Sequence, residues 1–187
     1  APDGGFELFV QYDGEPNGLR IHRDGRIFVA DHKRGIMVID PMTRRVEPFV
    51  EQIDGRRMVG PNDLVFTEAG EIYFTDMGDS DLAEPNGRLV HVDAAGKAKV
   101  VLDRLAAPNG LALNGAGTML YLNMFRENAV WQMKLRPDGG VTRVSRFLQL
   151  SGGLGPDGLL TDSQDNLLVV HCGLGCVWIF SPLGEPL

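Results

Sequence analysis

The stretch Gly60–Asp76, "GPNDLVFTEAGEIYFTD", places an asparagine straight after a proline at the mouth of a short apolar run, then closes with a turn and a second apolar run. One copy would read as an ordinary turn, because Pro and Asn both favour turns. The chain carries the phrase four times: "PNGLRIHRDGRIFVAD" (16–31), "PNDLVFTEAGEIYFTD" (61–76), "PNGLALNGAGTMLYLN" (108–123) and "PDGLLTDSQDNLLVVH" (156–171). Set in register, Asn17, Asn62, Asn109 and Asp157 fall at one position, separated by 45, 47 and 48 residues. Two positions on stand Leu19, Leu64, Leu111 and Leu159; eight on, Gly25, Gly70, Gly117 and Asp165; fourteen on, Asp31, Asp76, Asn123 and His171.

Each unit reads as strands. The runs are short and rich in Ile, Val, Phe and Tyr. A third run follows in each ("GIMVID", "GRLVHVD", "NAVWQMKL", "GCVWIFS"), and a weaker fourth closes the first three ("RRVEPFV", "AKVVLD", "TRVSRFLQL"). Four strands in about 45 residues make the blade of a β-propeller. The spacing predicts an all-β, partial propeller domain over 1–187, with units at about 15–58, 59–106, 107–154 and 155–187, the last with three strands. No segment keeps a 3.6-residue period free of Gly and Pro, so helix is expected to be minor.

Blade geometry gives the asparagines a place. The first strand of a blade is innermost, so Asn17, Asn62, Asn109 and Asp157 are expected to ring the mouth of a central channel. The positions fourteen on return to the same face, further out. The loop "MGDSDLAEPNG" (77–87) is much longer than its counterpart "HKRG" (32–35) and reads as a lid or specificity loop.

Composition narrows the function. With 187 residues, 43% of them apolar, the chain can bury a core and is not disordered. Its net charge of −7 argues against nucleic acid. No run approaches the roughly 20 apolar residues of a membrane span, and "APDGGFELFV" has no features of a signal peptide, so a cytoplasmic location is expected. Cys172 and Cys176 read as two free thiols in a hairpin, too few for a zinc site. No Gly-x-Ser-x-Gly elbow or His-Glu-x-x-His is present, and "SGGLG" does not follow the phosphate-loop pattern. Amide and carboxylate oxygens in a ring suit Ca²⁺ or Mg²⁺, yet the same residues also form turns by bonding their own backbone. The change from Asn to Asp at Asp157 breaks the repeat and adds one negative charge at the channel. Asp31 and Asp76 read as turn caps, and His171 as a lip or packing residue or a base.

The phrases "GPNDLVFTEAGEIYFTD", "APNGLALNGAGTMLYLN" and "GPDGLLTDSQDNLLVV" closely resemble the inner-strand motifs of the SMP-30/gluconolactonase/luciferin-regenerating-enzyme family, from about Asn17 to Pro182. The resemblance implies a six-bladed propeller with one divalent metal, often Ca²⁺, and with Mg²⁺, Zn²⁺ and Mn²⁺ as alternatives. Carried over by motif, it implies Asn109 and Asp157 as metal ligands, Asp157 also as the catalytic, proton-transferring residue, and Asn62 as a residue touching metal or substrate. His171, at the lip, is taken as a further substrate-binding residue. The expected function is metal-dependent hydrolysis of a small-molecule lactone. A non-catalytic propeller that binds a partner, and a phosphotriester hydrolase on the same scaffold, are the alternatives.

Two departures qualify the resemblance. The family's glutamate ligand, in a Glu-Gly-Pro phrase, would precede residue 1, and Glu15 lies in a different blade. The chain is therefore expected to represent blades two to five of a longer protein, with apolar blade faces open to self-association. Gly60 stands where sugar-lactone members often carry an arginine, which points away from an aldonolactone.

Overall fold

Every hairpin joining the first two strands of a repeat turns on one left-handed residue: Gly25 (φ 91°), Gly70 (φ 85°), Gly117 (φ 63°) and Asp165 (φ 62°). Its amide donates to the carbonyl three residues back, at 2.9 Å for Gly25 to His22 and 2.8 Å for Gly117 to Asn114. This is the geometry that selects Gly, and tolerates Asp, at the repeat's eighth position.

The computed structural model describes residues 4–187. Four antiparallel sheets follow one another along the chain. The first contains β1 (Pro16–Ile21), β2 (Ile27–Asp31), β3 (Gly35–Ile39) and β4 (Val46–Val50). A small hairpin, β5 (Gln52–Ile53) and β6 (Arg56–Arg57), leads to the second sheet of β7 (Pro61–Phe66), β8 (Ile72–Asp76), β9 (Gly87–Val92) and β10 (Ala98–Leu105). The third holds β11 (Pro108–Leu113), β12 (Met119–Met124), β13 (Ala129–Leu135) and β14 (Val141–Gln149). The fourth has β15 (Pro156–Thr161), β16 (Leu167–His171) and β17 (Cys176–Phe180). A single turn of 3₁₀ helix, Cys172–Leu174, is the one helical element among the described residues. The sheets are four blades of a β-propeller, as the repeat predicts.

Strand periodicity explains how blades stack. In β8, Ile72 and Phe74 pack toward the first sheet with Phe28, Ala30 and Ile36, while Tyr73 between them joins Leu111, Leu120 and Leu122 of the third. In β12, Leu120 and Leu122 face back to the second sheet and Tyr121 faces Leu159, Leu167 and Val169 of the fourth. Middle strands are thus apolar on both faces, and alternate residues supply two different cores. The outer strands β4 and β14 are largely exposed, and Pro48 sits in β4, where a missing N–H costs no ladder bond.

The ends of the arc differ. On the first sheet, Val29, Met37 and Ile39 are covered by Val10 and Tyr12, whereas Leu19 and Ile21 of β1 are exposed. The expectation of a bare first face therefore holds only for its inner strand. On the fourth sheet, cross-strand neighbours Val170 and Val177 are exposed, as is Ile179 opposite half-buried Leu168. No helix among the described residues is long and apolar enough to cross a membrane.

Candidate functional site

The inner strands β1, β7, β11 and β15 bring the second residue of each repeat to one place. Asn17, Asn62, Asn109 and Asp157 line a single cavity of about 710 Å³, together with Asp63, Arg20 and an apolar wall that includes Leu159, Leu160 and Val170. The glycines after Asn17 and Asn109 make this convergence feasible. A Cβ on Gly18 would stand 2.6 Å from the Asn62 carbonyl oxygen and 2.7 Å from the Asp63 Cα. A Cβ on Gly110 would meet the Asp157 carbonyl oxygen and lie 2.8 Å from the Leu159 nitrogen. Neighbouring inner strands touch backbone to backbone at these points, which only Gly permits.

Asn62 and Asn109 are mostly buried, and Asp157 is half-buried. The Asn62 side-chain Nδ2 donates to the Met77 sulfur at 3.3 Å. That bond leaves its Oδ1 as the free polar atom. Asp157 accepts no hydrogen bond at its carboxylate among the described residues, but its backbone is held. Asn123, fully buried at the end of β12, donates from Nδ2 to the carbonyls of Asp157 (2.8 Å) and Gly158 (3.1 Å).

The sequence reading missed Asp63. It takes the place of the glycine found at Gly18, Gly110 and Gly158, and that break in the repeat was the available signal. Burial pushes its carboxyl above the usual aspartate range, and the nearby Asp157 charge pushes it further, against the pull of Arg20 and of the Leu64 and Leu111 amides. Arg20 approaches Asp63 at 3.6 Å. Arg20 and Met77 were not anticipated either.

The positions fourteen on are all fully buried. Asp31 Oδ1 accepts the Lys33 and Arg34 amides at 3.0 and 2.9 Å, so it caps its own turn. Asp76 Oδ1 accepts the Val59 and Gly60 amides at 2.9 and 2.8 Å, and its Oδ2 accepts Arg88 Nε at 2.9 Å. It thereby fixes the chain entering β7, two residues before Asn62. His171 does not line the cavity. Its Nε2 lies 3.0 Å from Asn128 Oδ1 and its Nδ1 is buried without a partner. The side chain is turned between blades, with the ring against Gly153. The loop 77–86 is pinned, since buried Ser80 accepts the Ala107 amide at 2.7 Å.

Could these residues hold a cation? Among the described residues no three His, Cys, Asp or Glu side chains form a metal cluster. The cavity instead offers the amide groups of Asn17, Asn62 and Asn109 and the Asp157 carboxylate, with Asp63 close by. Those are hard oxygen donors, and the mutual repulsion of Asp63 and Asp157 is a local excess of negative charge. The donor set fits an oxygen-seeking divalent cation.

The comparisons with known proteins agree with this architecture. The model of the family described as "SMP-30/Gluconolactonase/LRE-like region" matches residues 2–187. A gluconolactonase of Zymomonas mobilis is 34% identical over 217 residues, covering 99% of this chain and 60% of its own length. Among solved structures, a gluconolactonase of Xanthomonas campestris superposes with a TM-score of 0.85 at 23% identity, covering 97% of this chain and 63% of that one. The calcium-binding protein regucalcin of Agrobacterium tumefaciens superposes with a TM-score of 0.79 at 20% identity, over 94% of this chain and 59% of that one. The chain thus spans about 60% of the length of the gluconolactonase from Zymomonas.

Proposed function

The chain belongs to the SMP-30/gluconolactonase/LRE-like family, and from that premise we propose that it carries the metal-binding and proton-transfer side of a lactone-hydrolysing site. In this proposal the propeller domain runs over 1–187 in units near 15–58, 59–106, 107–154 and 155–187. Asn62, Asn109 and Asp157 hold one divalent cation, Ca²⁺ first among the choices. The reading is supported chiefly by one observation: these three side chains, from three inner strands, line one cavity beside a second buried acid, Asp63.

The chemistry is ester hydrolysis of a small cyclic ester. The cation, when bound, polarises the lactone carbonyl and stabilises the oxyanion. Asp157, whose carboxylate accepts no hydrogen bond among the described residues, takes a proton from the attacking water. The water oxygen bonds to the carbonyl carbon, and the ring C–O bond breaks. Asp157 then returns the proton to the ring oxygen, and a hydroxy acid leaves. Asn123 keeps the Asp157 backbone in position for both transfers. Asn62 presents its Oδ1 because Met77 takes its Nδ2. Leu159, Leu160 and Val170 give the cavity an apolar wall against which a substrate ring can rest. Substrate-binding by His171 is not carried into the proposal, because its side chain is sealed between blades.

The test is hydrolysis of a δ-lactone followed in a pH-stat. Turnover is expected to fall on chelation, to return with added Ca²⁺, and to drop by at least about 100-fold in Asp157→Asn, the low end for losing a general acid–base. Turnover that ignores chelation and survives Asp157→Asn would dispose of the proposal.

A further inference from the structure

A second cavity, of about 390 Å³, opens at the rim beside the second blade. It lies between the β2–β3 turn and the β5–β6 hairpin and is lined by His32, Lys33, Arg34, Glu51, Gln52 and Arg57, among others. Arg57 lies 23 residues beyond Arg34 in sequence, so the concentration of cations there is a product of folding. It contrasts with the chain's net charge of −7.

The cations are not equivalent. Lys33 and Arg34 both pair with Asp13. Arg88, nearby, pairs with buried Asp76 and reaches the Arg57 carbonyl. Arg57 is exposed and forms no ion pair among the described residues. Glu51 is the one acid in the lining, and it makes no ion pair there either. With Asp13 counted beside Glu51, three cationic side chains face two carboxylates, which leaves one positive charge in excess.

His32 ties this cavity to the catalytic region. Its ring lies over Gly60: a Cβ there would stand 2.6 Å from Nδ1 and 2.9 Å from Nε2. Gly60 has φ 146° and its amide is held by Asp76, so both backbone and space demand glycine. Gly60 is two residues from Asn62, about 7 Å of extended chain. The imidazole thus lines the rim cavity and packs on a residue two positions before the asparagine that faces the central one.

We propose that the rim cavity is an anion subsite, with Arg57 as its principal donor and His32 as its inner wall, which receives a carboxylate or phosphate carried by the substrate at a distance from its lactone carbonyl. A planar guanidinium without a competing partner offers paired N–H donors suited to either anion. The assignment of the anion to a substrate rests on the lactonase reading above; anion binding itself does not.

Two measurements separate those layers. First, the protein is titrated with inorganic phosphate and, separately, with acetate, at constant ionic strength, following the Arg57 side-chain Nε–H and the Gly60 amide by NMR. Saturable shifts are expected in the wild type, and about tenfold weaker binding in Arg57→Gln, with partial recovery in Arg57→Lys. The stronger of the two probes identifies the anion type. Equal binding in wild type and Arg57→Gln, or none in either, overturns the subsite. Second, turnover of a lactone bearing a carboxylate is compared with that of its neutral methyl ester. The ratio of kcat/KM, charged over neutral, is expected to fall about tenfold in Arg57→Gln. An unchanged ratio overturns the substrate assignment. If neither lactone is hydrolysed by the wild type, the lactonase reading fails, and the titration still decides the anion site.

Discussion

The tetrapeptide Pro-Asn-Gly-Leu occurs twice, at 16–19 and 108–111, and its two copies have opposite fates. Leu111 is 0% exposed and Leu19 is 48% exposed. Both begin an inner strand, and both pair with a second strand through a bulge between the Pro and the Leu, although Pro16 faces Asp31, fifteen residues on, and Pro108 faces Met124, sixteen on. The difference is the company. β11 lies between β7 and β15, while β1 packs on β7. Local sequence therefore determines the strand, its bulge and the aim of its asparagine; position in the arc determines whether that strand is core. The lesson extends to the site. A ring of inner-strand residues gains its chemistry from neighbours in other repeats, so each repeat alone is only a turn and a hairpin.

The largest effects should come from the two leucines. Leu111→Ala is expected to cost about 2–5 kcal/mol and Leu19→Ala under about 1 kcal/mol, measured by urea unfolding. Equal costs would mean that Leu19 is covered in solution, and the comparison would break.

The following glycines sharpen it. Gly110→Ala drives a Cβ into the Asp157 backbone, with no flexible side chain to yield, and is expected to cost about 1–3 kcal/mol. Gly158→Ala, where a Cβ would meet only Val170 side-chain atoms from 3.7 Å, should stay within about 0.5 kcal/mol. Similar penalties at both would contradict the close approach of β11 and β15. Asn123→Ala removes the donor to two carbonyls across that same junction and should cost about 1–3 kcal/mol. If it is neutral, Asn123 does not hold Asp157.

The smallest expected effect is a pH slope. Asp63 has its carboxyl raised, by burial first and by Asp157 in addition. The folded protein keeps that proton to a higher pH than the unfolded chain does. Stability contributed there is lost as pH rises from the ordinary aspartate value through the raised one. Asp63→Asn should flatten that part of the stability profile, measured without divalent cations. An unaltered slope would assign it to other groups.

Much of this was legible in the sequence. The spacing of the four phrases gave blade order and strand order, because propeller repeats reuse one local pattern that side-chain periodicity makes visible. The turn position also declared itself, as Gly25, Gly70, Gly117 and Asp165 share one left-handed conformation. Asn62, Asn109 and Asp157 share one repeat position in the sequence, and the fold brings them to one cavity. His171 was not readable, because the same repeat position ends as a turn cap in Asp31 and as a sealed ring in His171, depending on what packs above it. Asp63 was readable only as a broken glycine. Its environment depends on Arg20 from another blade and on Asp157 from a third, and no single phrase contains that information. The rim cavity likewise joins segments that only folding brings together.

In the proposed site the inner-strand ring holds a hard divalent cation through Asp157. Isothermal titration of the metal-stripped protein with CaCl₂, for wild type and Asp157→Asn side by side, tests it most directly. One saturable binding event is expected in the wild type, weakened at least about tenfold in Asp157→Asn, which keeps the shape and removes one charge. Indistinguishable titrations for the two proteins, or no binding by the wild type, would contradict it.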